Sequence, residues 1–170
     1  LMSYQIITDS CCDFTQQQFE QNDVLCVPLT VVYNGEAHDN FSDAASVKAF
    51  YDILREGVTA TTSAVNPKGW AEALEPALKA GEDVLVMAFS SGLSTTYQSA
   101  VIAAEEFPGK VFVVDSKTVT IGSGILTEYA LELVDRGLDA ENIAWKLMQK
   151  REEVRLVAVV DTLEYLKRGG

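Results

Sequence analysis

The chain has 170 residues and a formal net charge of −12, and 48% of its residues are hydrophobic, which suits one globular domain or one domain with the beginning of another. Such a charge argues against nucleic acid and anionic membrane surfaces, which attract basic patches, and makes a polyanionic ligand a poor match. Three cysteines, two of them adjacent, form no disulfide framework; no stretch approaches membrane-spanning length and no basic segment followed by an apolar run opens the chain, so reduced thiols and a cytoplasmic location are expected.

Tyr4 to Thr8 make a short β-rich run ending in Asp9-Ser10. Thr15 and Gln18 have the spacing of a capping box, and Phe14 and Phe19 that of a hydrophobic staple, which predicts a short helix ended by Asn22-Asp23. Val24 to Tyr33 is a second extended run in which Pro28 suggests an edge or a bulge, and Asn34-Gly35 within alternating residues signals a hairpin. Asn40-Phe41-Ser42 matches a glycosylation acceptor, a chance match for a chain expected in the cytoplasm. Val47, Phe50, Tyr51 and Leu54 predict a helix between Ser42 and Gly57 that buries this face, followed by a hydroxyl-rich loop from Thr59 to Asn66. Asn66-Pro67 caps and opens a helix with Trp70, Leu74 and Leu78 inward, a kink at Pro76, and Gly81 beyond its end.

Val84 to Phe89 are too apolar for a half-wet edge and read as a strand covered on both faces, as in a parallel sheet. Ser94 is placed to cap the next helix, with Tyr97, Val101 and Ala104 on one face and Pro108-Gly109 as its stop. Val111 to Val114 form another apolar strand ending in Asp115-Ser116, and the following helix should bury Ile125, Leu126, Tyr129 and Leu133 before Gly137. Asp139 caps a helix with Ile143 and Leu147 in one apolar row and Ala144 and Met148 in another. Leu156 to Val160 read as a last strand ending in Asp161-Thr162, and Leu163 and Leu166 begin a loosely packed amphipathic turn. This alternation predicts a three-layer α/β fold with a mostly parallel sheet and helices on both faces.

Strands ending in Thr8-Asp9-Ser10, Ser90-Ser91, Asp115-Ser116 and Asp161-Thr162 place hydroxyls and carboxylates where open α/β sheets bind ligands, although Ser, Thr and Asp also serve there as helix caps. Ser94 lies in Gly92-Leu93-Ser94-Thr95-Thr96, one residue short of a nucleophile elbow. The single histidine, His38, precedes it beside the hairpin, where a surface position is expected, so a hydrolase triad lacks its base. Cys11, Cys12, Cys26 and His38 lack metal-ligand spacing, Gly122-Ser123-Gly124 lacks the third glycine of a dinucleotide fingerprint, and no Gly-Lys-Ser/Thr loop is present; no cofactor is expected.

Ile6-Ile7-Thr8-Asp9-Ser10, Val27-Pro28-Leu29, Thr61-Thr62-Ser63, Ser91-Gly92-Leu93-Ser94 with Thr96-Tyr97-Gln98-Ser99-Ala100, Val114-Asp115-Ser116 and the run from Asp161 to Gly170 resemble, in order, the DegV family of fatty-acid-binding proteins. The resemblance implies two domains holding one long-chain fatty acid, in a carrier that presents the acid to a separate fatty acid kinase and is not itself an enzyme. It implies that Thr62 and Ser94 hydrogen-bond the carboxyl group; Ser10 and Ser116 at strand ends, Ser63 in the hydroxyl-rich loop and Gly124, where the backbone could approach the acyl chain, are the further ligand-binding candidates. Residues 1–153 would be the first domain and 154–170 the start of a second, whose remainder, including a histidine near the headgroup, lies beyond this sequence. The chain departs from the family pattern at Ala64-Val65-Asn66 after the threonine loop and at Thr95, where a glycine is usual. The rival readings are an acyl- or phosphoryl-transfer enzyme with Ser94 as nucleophile and a partner-binding domain without a ligand.

Overall fold

The computed structural model describes residues 4–39, 43–160 and 162–169, without the side chains of Leu166 and Arg168. Asn40-Phe41-Ser42, Asp161 and the packing of Leu166 therefore lie outside the described residues. Four strands, β1 (Tyr4–Asp9), β2 (Val24–Val27), β6 (Asp83–Ala88) and β7 (Val111–Asp115), make a parallel sheet in the order β2-β1-β6-β7. The register places Thr8 beside Cys26 on one side and Met87 on the other. Helices α1 (Gln16–Gln21), α5 (Ile121–Asp135) and α6 (Ala140–Lys150) cover one face, and α3 (Pro67–Lys79) and α4 (Thr96–Ala104) the other. The three layers are those expected from the alternation of apolar runs.

The period of the strand explains the two cores. Along β6, Leu85 and Met87 enter the cluster that holds Phe14, Phe19, Leu126, Leu133, Ile143 and Leu147, while Val84, Val86 and Ala88 enter that of Trp70, Leu74, Ala77, Ala100 and Ala103. Each fully buried Leu, Ile or Met contributes about 1.5–3 kcal/mol of transfer free energy, so a strand buried on both faces anchors the domain.

Local signals act as expected at several helix starts. The Thr15 hydroxyl accepts from the Gln18 N–H at 3.2 Å and the Gln18 side chain accepts from the Thr15 N–H at 2.9 Å, with the Phe14 and Phe19 rings 5.6 Å apart. Asn66 and Asp139 accept from the N–H groups of Gly69 and Asn142 at 2.9 and 2.8 Å. Replacing Thr15 by Ala should cost about 1 kcal/mol in chemical denaturation, and an unchanged midpoint would show that the box contributes nothing.

Elsewhere the structure corrects the reading. The run from Val24 to Tyr33 breaks at Pro28-Leu29, and its second half, β3 (Thr30–Tyr33), joins β4 (Glu36–His38) and β5 (Thr61–Ser63) in a separate antiparallel sheet of order β4-β3-β5. Proline offers no N–H to a ladder, which lets the chain leave one sheet for the other. Asn34 and Gly35, with φ of 52° and 78°, turn the hairpin, and Thr62, assigned to a loop from sequence, is a strand residue opposite Val31. His38 is no surface loop residue: it ends β4, half-buried, its ring stacked 4.0 Å from that of Tyr33.

Helix α2 (Ala44–Arg55) forms but buries none of its residues; Val47 and Tyr51 are exposed and Phe50 and Leu54 half-buried, because few of the described residues pack against that face. On α4 the fully buried positions are Thr96, Ser99, Ala100 and Ala103, with Tyr97, Val101 and Ala104 on the flank. Ile125 and Met148 point outward, at 53% and 39% exposure. Pro76 lies within α3, which continues to Lys79. Residues 156–160 form no strand, since no neighbouring strand among the described residues offers them a ladder, and Val157 and Val159 are 88% and 96% exposed. The short α7 (Glu164–Gly169) follows Leu163, which is 70% exposed.

Candidate functional site

β1 adjoins β2 on one side and β6 on the other, so the winding reverses at β1 and β6, and the crevice beyond their carboxyl ends is where such sheets take ligands. Asp9 stands at that reversal, 1% exposed, its Oδ1 accepting from the Cys11 N–H at 3.0 Å and its Oδ2 from the Phe89 N–H at 2.5 Å. Burial pushes its carboxyl up to about 6, against the pull of the Phe89 and Cys11 N–H groups. Asp115 does the same work one strand along: its Oδ1 accepts from the N–H groups of Ser91 and Lys117 at 3.0 Å each, and its Oδ2 from the Ser91 hydroxyl at 2.6 Å. Burial acts to raise the Asp115 carboxyl, but the Ser91 and Lys117 bonds and the nearby Arg151 charge outweigh it and hold it below its ordinary range. These carboxylates tie loops together, as the capping alternative predicts.

The hydroxyls expected to bind a ligand separate into two groups. Ser10 and Thr62 line one cavity of about 210 Å³ with Cys11, Asp13, Leu29, Thr30, Val31, Val119 and Thr120. Thus the small antiparallel sheet brings Thr62 to the carboxyl end of the parallel sheet, although it does not belong to that sheet. The Ser10 hydroxyl accepts from the Leu29 N–H at 3.0 Å and keeps its own proton without an acceptor among the described residues. Thr30, Asp13 and Thr120 were not singled out from sequence. Thr120 carries one structural signal, a φ of 54° that a β-branched residue ordinarily avoids.

Ser94, Ser63, Ser116 and Gly124 do not line this cavity. The half-buried Ser94 hydroxyl accepts from the Thr96 N–H at 3.1 Å and lies 2.9 Å from Thr96 Oγ1, so it serves the first turn of α4 one residue before the helix boundary. Neither partner is a base. Thr95, at φ −77° and ψ −1°, has a conformation open to any residue, so its position does not require glycine here. Ser63 is exposed opposite Thr30. Ser116 is 1% exposed, and its hydroxyl already donates to the Thr118 carbonyl at 3.0 Å. At Gly124 a Cβ would stand 2.9 Å from the Cys12 carbonyl oxygen, so the absent side chain admits the turn after β1.

Among the described residues the cavity lining holds no Lys or Arg and one carboxyl, that of Asp13, which burial raises. Burial likewise pushes the thiols of Cys11 and Cys26 to about 12 and that of Cys12 to about 11, which leaves them protonated and poor nucleophiles at neutral pH. Among the described residues no group of three or more His, Cys, Asp or Glu is placed to hold a metal ion, and no helix is long and apolar enough to cross a membrane. A larger groove of about 600 Å³ opens between α2 and residues 159–165, lined by Phe50, Tyr51, Leu54, Val159, Val160 and Tyr165 among others. Its lining shares no residue with that of the Thr62 cavity and combines one face of α2 with Val159, Val160, Thr162 and Tyr165.

The profile of the DegV family, described as uncharacterised proteins, matches residues 3–170. The chain belongs to the DegV family. A DegV domain-containing protein of Clostridium perfringens is 34% identical over 176 residues, covering 100% of this chain and 60% of that protein. A Thermus thermophilus DegV family protein, solved in work on its fatty acid binding, superposes with a TM-score of 0.85 at 34% identity, over 99% of this chain and 60% of its own. DegV of Bacillus subtilis, described as a fatty acid binding protein, gives 0.81 at 26% identity over 100% of this chain and 61% of its own. This DegV chain thus spans about 60% of the length of these relatives.

Proposed function

We propose that this chain is the carboxyl-binding part of a fatty-acid carrier: it holds a long-chain fatty acid noncovalently, with the carboxyl group hydrogen-bonded by Thr62 and Ser94, and presents it to a fatty acid kinase without turning it over. The observation that carries the reading is the meeting of Thr62 with Ser10, Thr30 and Thr120 in one cavity at the carboxyl end of the parallel sheet, in a chain of the DegV family. Hydroxyls and helix N–H groups can hold a single carboxylate without a basic residue, and each CH₂ withdrawn from water adds about 0.8 kcal/mol. Residues 154–170, with their exposed valines, begin a second unit that completes the acyl site. The alternative with Ser94 as nucleophile draws no support from its surroundings, since among the described residues its hydroxyl meets only Thr96.

Organic extraction of the purified full-length protein followed by mass spectrometry should release a fatty acid at near-stoichiometric yield, and an intact mass carrying an acyl adduct would favour the enzyme reading instead. Thr62→Ala should weaken palmitate binding by about 1.5–3 kcal/mol, some 10- to 150-fold, the range for a hydrogen bond to a charged group. Thr62 is exposed on β5, so its fold should be untouched. Parent-like affinity in that variant would remove Thr62 from the site. Delivery is tested by adding a fatty acid kinase and ATP: phosphorylation of the bound acid is expected with the loaded protein and not with free acid alone.

A further inference from the structure

The Thr62 cavity lies between two bodies held in place to very different degrees. One wall, with Ser10, Asp13 and Thr120, belongs to the loops at the carboxyl end of the parallel sheet; the other, with Thr30, Val31 and Thr62, belongs to the small antiparallel sheet. Leu29 and Val65, on either side of that small sheet in the chain, both pack in the core of Trp70 and Leu74. Between them no described residue is buried, and none enters either core. Buried apolar contact is what opposes local opening, so a unit anchored only at its two ends belongs to the low end of the stability range within a domain.

The unit nevertheless coheres. Val31 of β3 pairs with His38 of β4 on one side and Thr62 of β5 on the other. The Tyr33 ring stacks on that of His38 at 4.0 Å and meets Phe50 of α2 at 5.5 Å. Three strands joined to a helix in this way move as one body more readily than strand by strand. Its ends supply the hinges: Pro28-Leu29, where the chain leaves one sheet for the other, and Ala64, between β5 and the Asn66 cap of α3. The Ser10 hydroxyl, accepting from the Leu29 N–H at 3.0 Å, holds the first hinge to the body. A few element-terminal residues of this kind suffice to absorb the rotation of a lid.

We propose that β3, β4, α2 and β5 form a hinged flap over the Thr62 cavity, which swings about Leu29 and Ala64 to admit and release the acyl ligand and is drawn shut by the ligand's carboxyl group. This rests on the fatty-acid reading above. Thr62 rides on the flap, whereas Ser10 and Ser94 stand on the body, so a carboxylate bonded to both sides bridges the two. A ligand shifts such an equilibrium only by its difference in affinity for the two states, and the Thr62 bond, made in the closed state alone, is that difference. Saturation therefore raises the ratio of closed to open flap by some 10- to 150-fold, the same factor that Thr62 adds to affinity. The flap, and not the rigid sheet, sets how fast the cargo enters and leaves.

The test is pulsed dipolar electron spin resonance on the full-length protein, with spin labels on ketone side chains replacing Lys48 of α2 and Lys79 of α3, both exposed, so that the native thiols stay in place. A second labelled pair, at Lys79 and Glu132, spans the body alone. Calorimetry follows palmitate binding by each labelled protein. Without ligand the 48–79 distances should be broadly distributed, and saturating palmitate should collapse them to one narrow peak, while the 79–132 distances stay narrow throughout. Thr62→Ala, saturated with palmitate, should keep the broad distribution of the unliganded protein. A 48–79 distribution that is narrow and identical with and without bound palmitate removes the flap and leaves the fatty-acid reading standing. Closure of Thr62→Ala as complete as that of the parent overturns the carboxyl bridge, and broadening of the 79–132 pair as well would mean that the whole domain loosens and that no flap exists. Failure of the parent to bind palmitate removes the fatty-acid reading and this inference with it.

Discussion

Trp70→Ala is expected to remove about 3–5 kcal/mol of stability, the range for truncating a large buried aromatic, and to weaken ligand binding with it. Trp70 is 0% exposed in the core between the sheet and α3, and its indole N–H donates to the Thr96 carbonyl at 3.1 Å. That bond fixes the first turn of α4, where the Ser94 hydroxyl is held by the Thr96 N–H. One substitution therefore opens a cavity in the core and frees the turn that carries a proposed ligand residue. In a domain whose whole stability is about 5–15 kcal/mol, the variant should populate unfolded chain near its growth temperature. Trp70→Phe separates the effects, since it keeps most of the ring and loses only the N–H. Urea unfolding reads both variants; a loss below about 1 kcal/mol in Trp70→Ala at unchanged m-value would mean that the helix α3 contact is not what holds α4 in place.

What the sequence makes legible follows from how local each signal is. The capping box at Thr15 and Gln18, the Asn66 and Asp139 caps, the Asn34-Gly35 turn and the doubly buried β6 all rest on residues within a few positions of one another, and each forms as read. The alternation of strands and helices then leaves few topologies, and the parallel sheet follows. Signals that need a distant partner fail. Nothing within Thr61–Ser63 marks it as a strand, because its ladder among the described residues is with β3, some thirty residues earlier. Among the described residues, Leu156–Val160 has strand composition but no partner strand, and α2 has the spacing of a buried face but few residues packed on it.

The site shows the same division. Serine, threonine and aspartate at strand ends are visible in sequence, but which of them face a cavity and which are consumed by the protein depends on bonds made across the fold. Ser116 and Asp115 are spent on Thr118, Ser91 and Lys117, whereas Ser10 and Thr62, separated by more than fifty residues, meet in one cavity. Thr120 was invisible because its left-handed backbone has no local sequence signature; β-branched residues are the ones that avoid it.

Asp9 supplies the second large effect, and its sign runs against the usual carboxylate. Its ordinary value is 3.8, and burial pushes it up to about 6 in the folded protein. The folded state therefore binds the proton more tightly than the unfolded chain, so Asp9 costs nothing below about pH 4 and imposes its full cost above about pH 6. A shift of that size corresponds to about 3 kcal/mol, lost as pH rises through this window. Asp115 acts oppositely: its carboxyl is held below the ordinary value, and the stability it adds is lost as pH falls through the carboxylate range. The two partly cancel in a simple pH profile, so the measurement is the difference between the parent and Asp9→Asn, in which every other group drops out. Asparagine accepts through one atom where aspartate uses two, leaving the N–H of Cys11 or Phe89 unpaired at a pH-independent cost of about 1–3 kcal/mol. The stability difference, parent minus variant, should fall by about 3 kcal/mol between pH 4 and 6 and stay flat above pH 7. A flat or rising difference across that window would mean that the two backbone N–H groups, and not burial, govern Asp9, and that it sits at the sheet reversal as a stabilising charge.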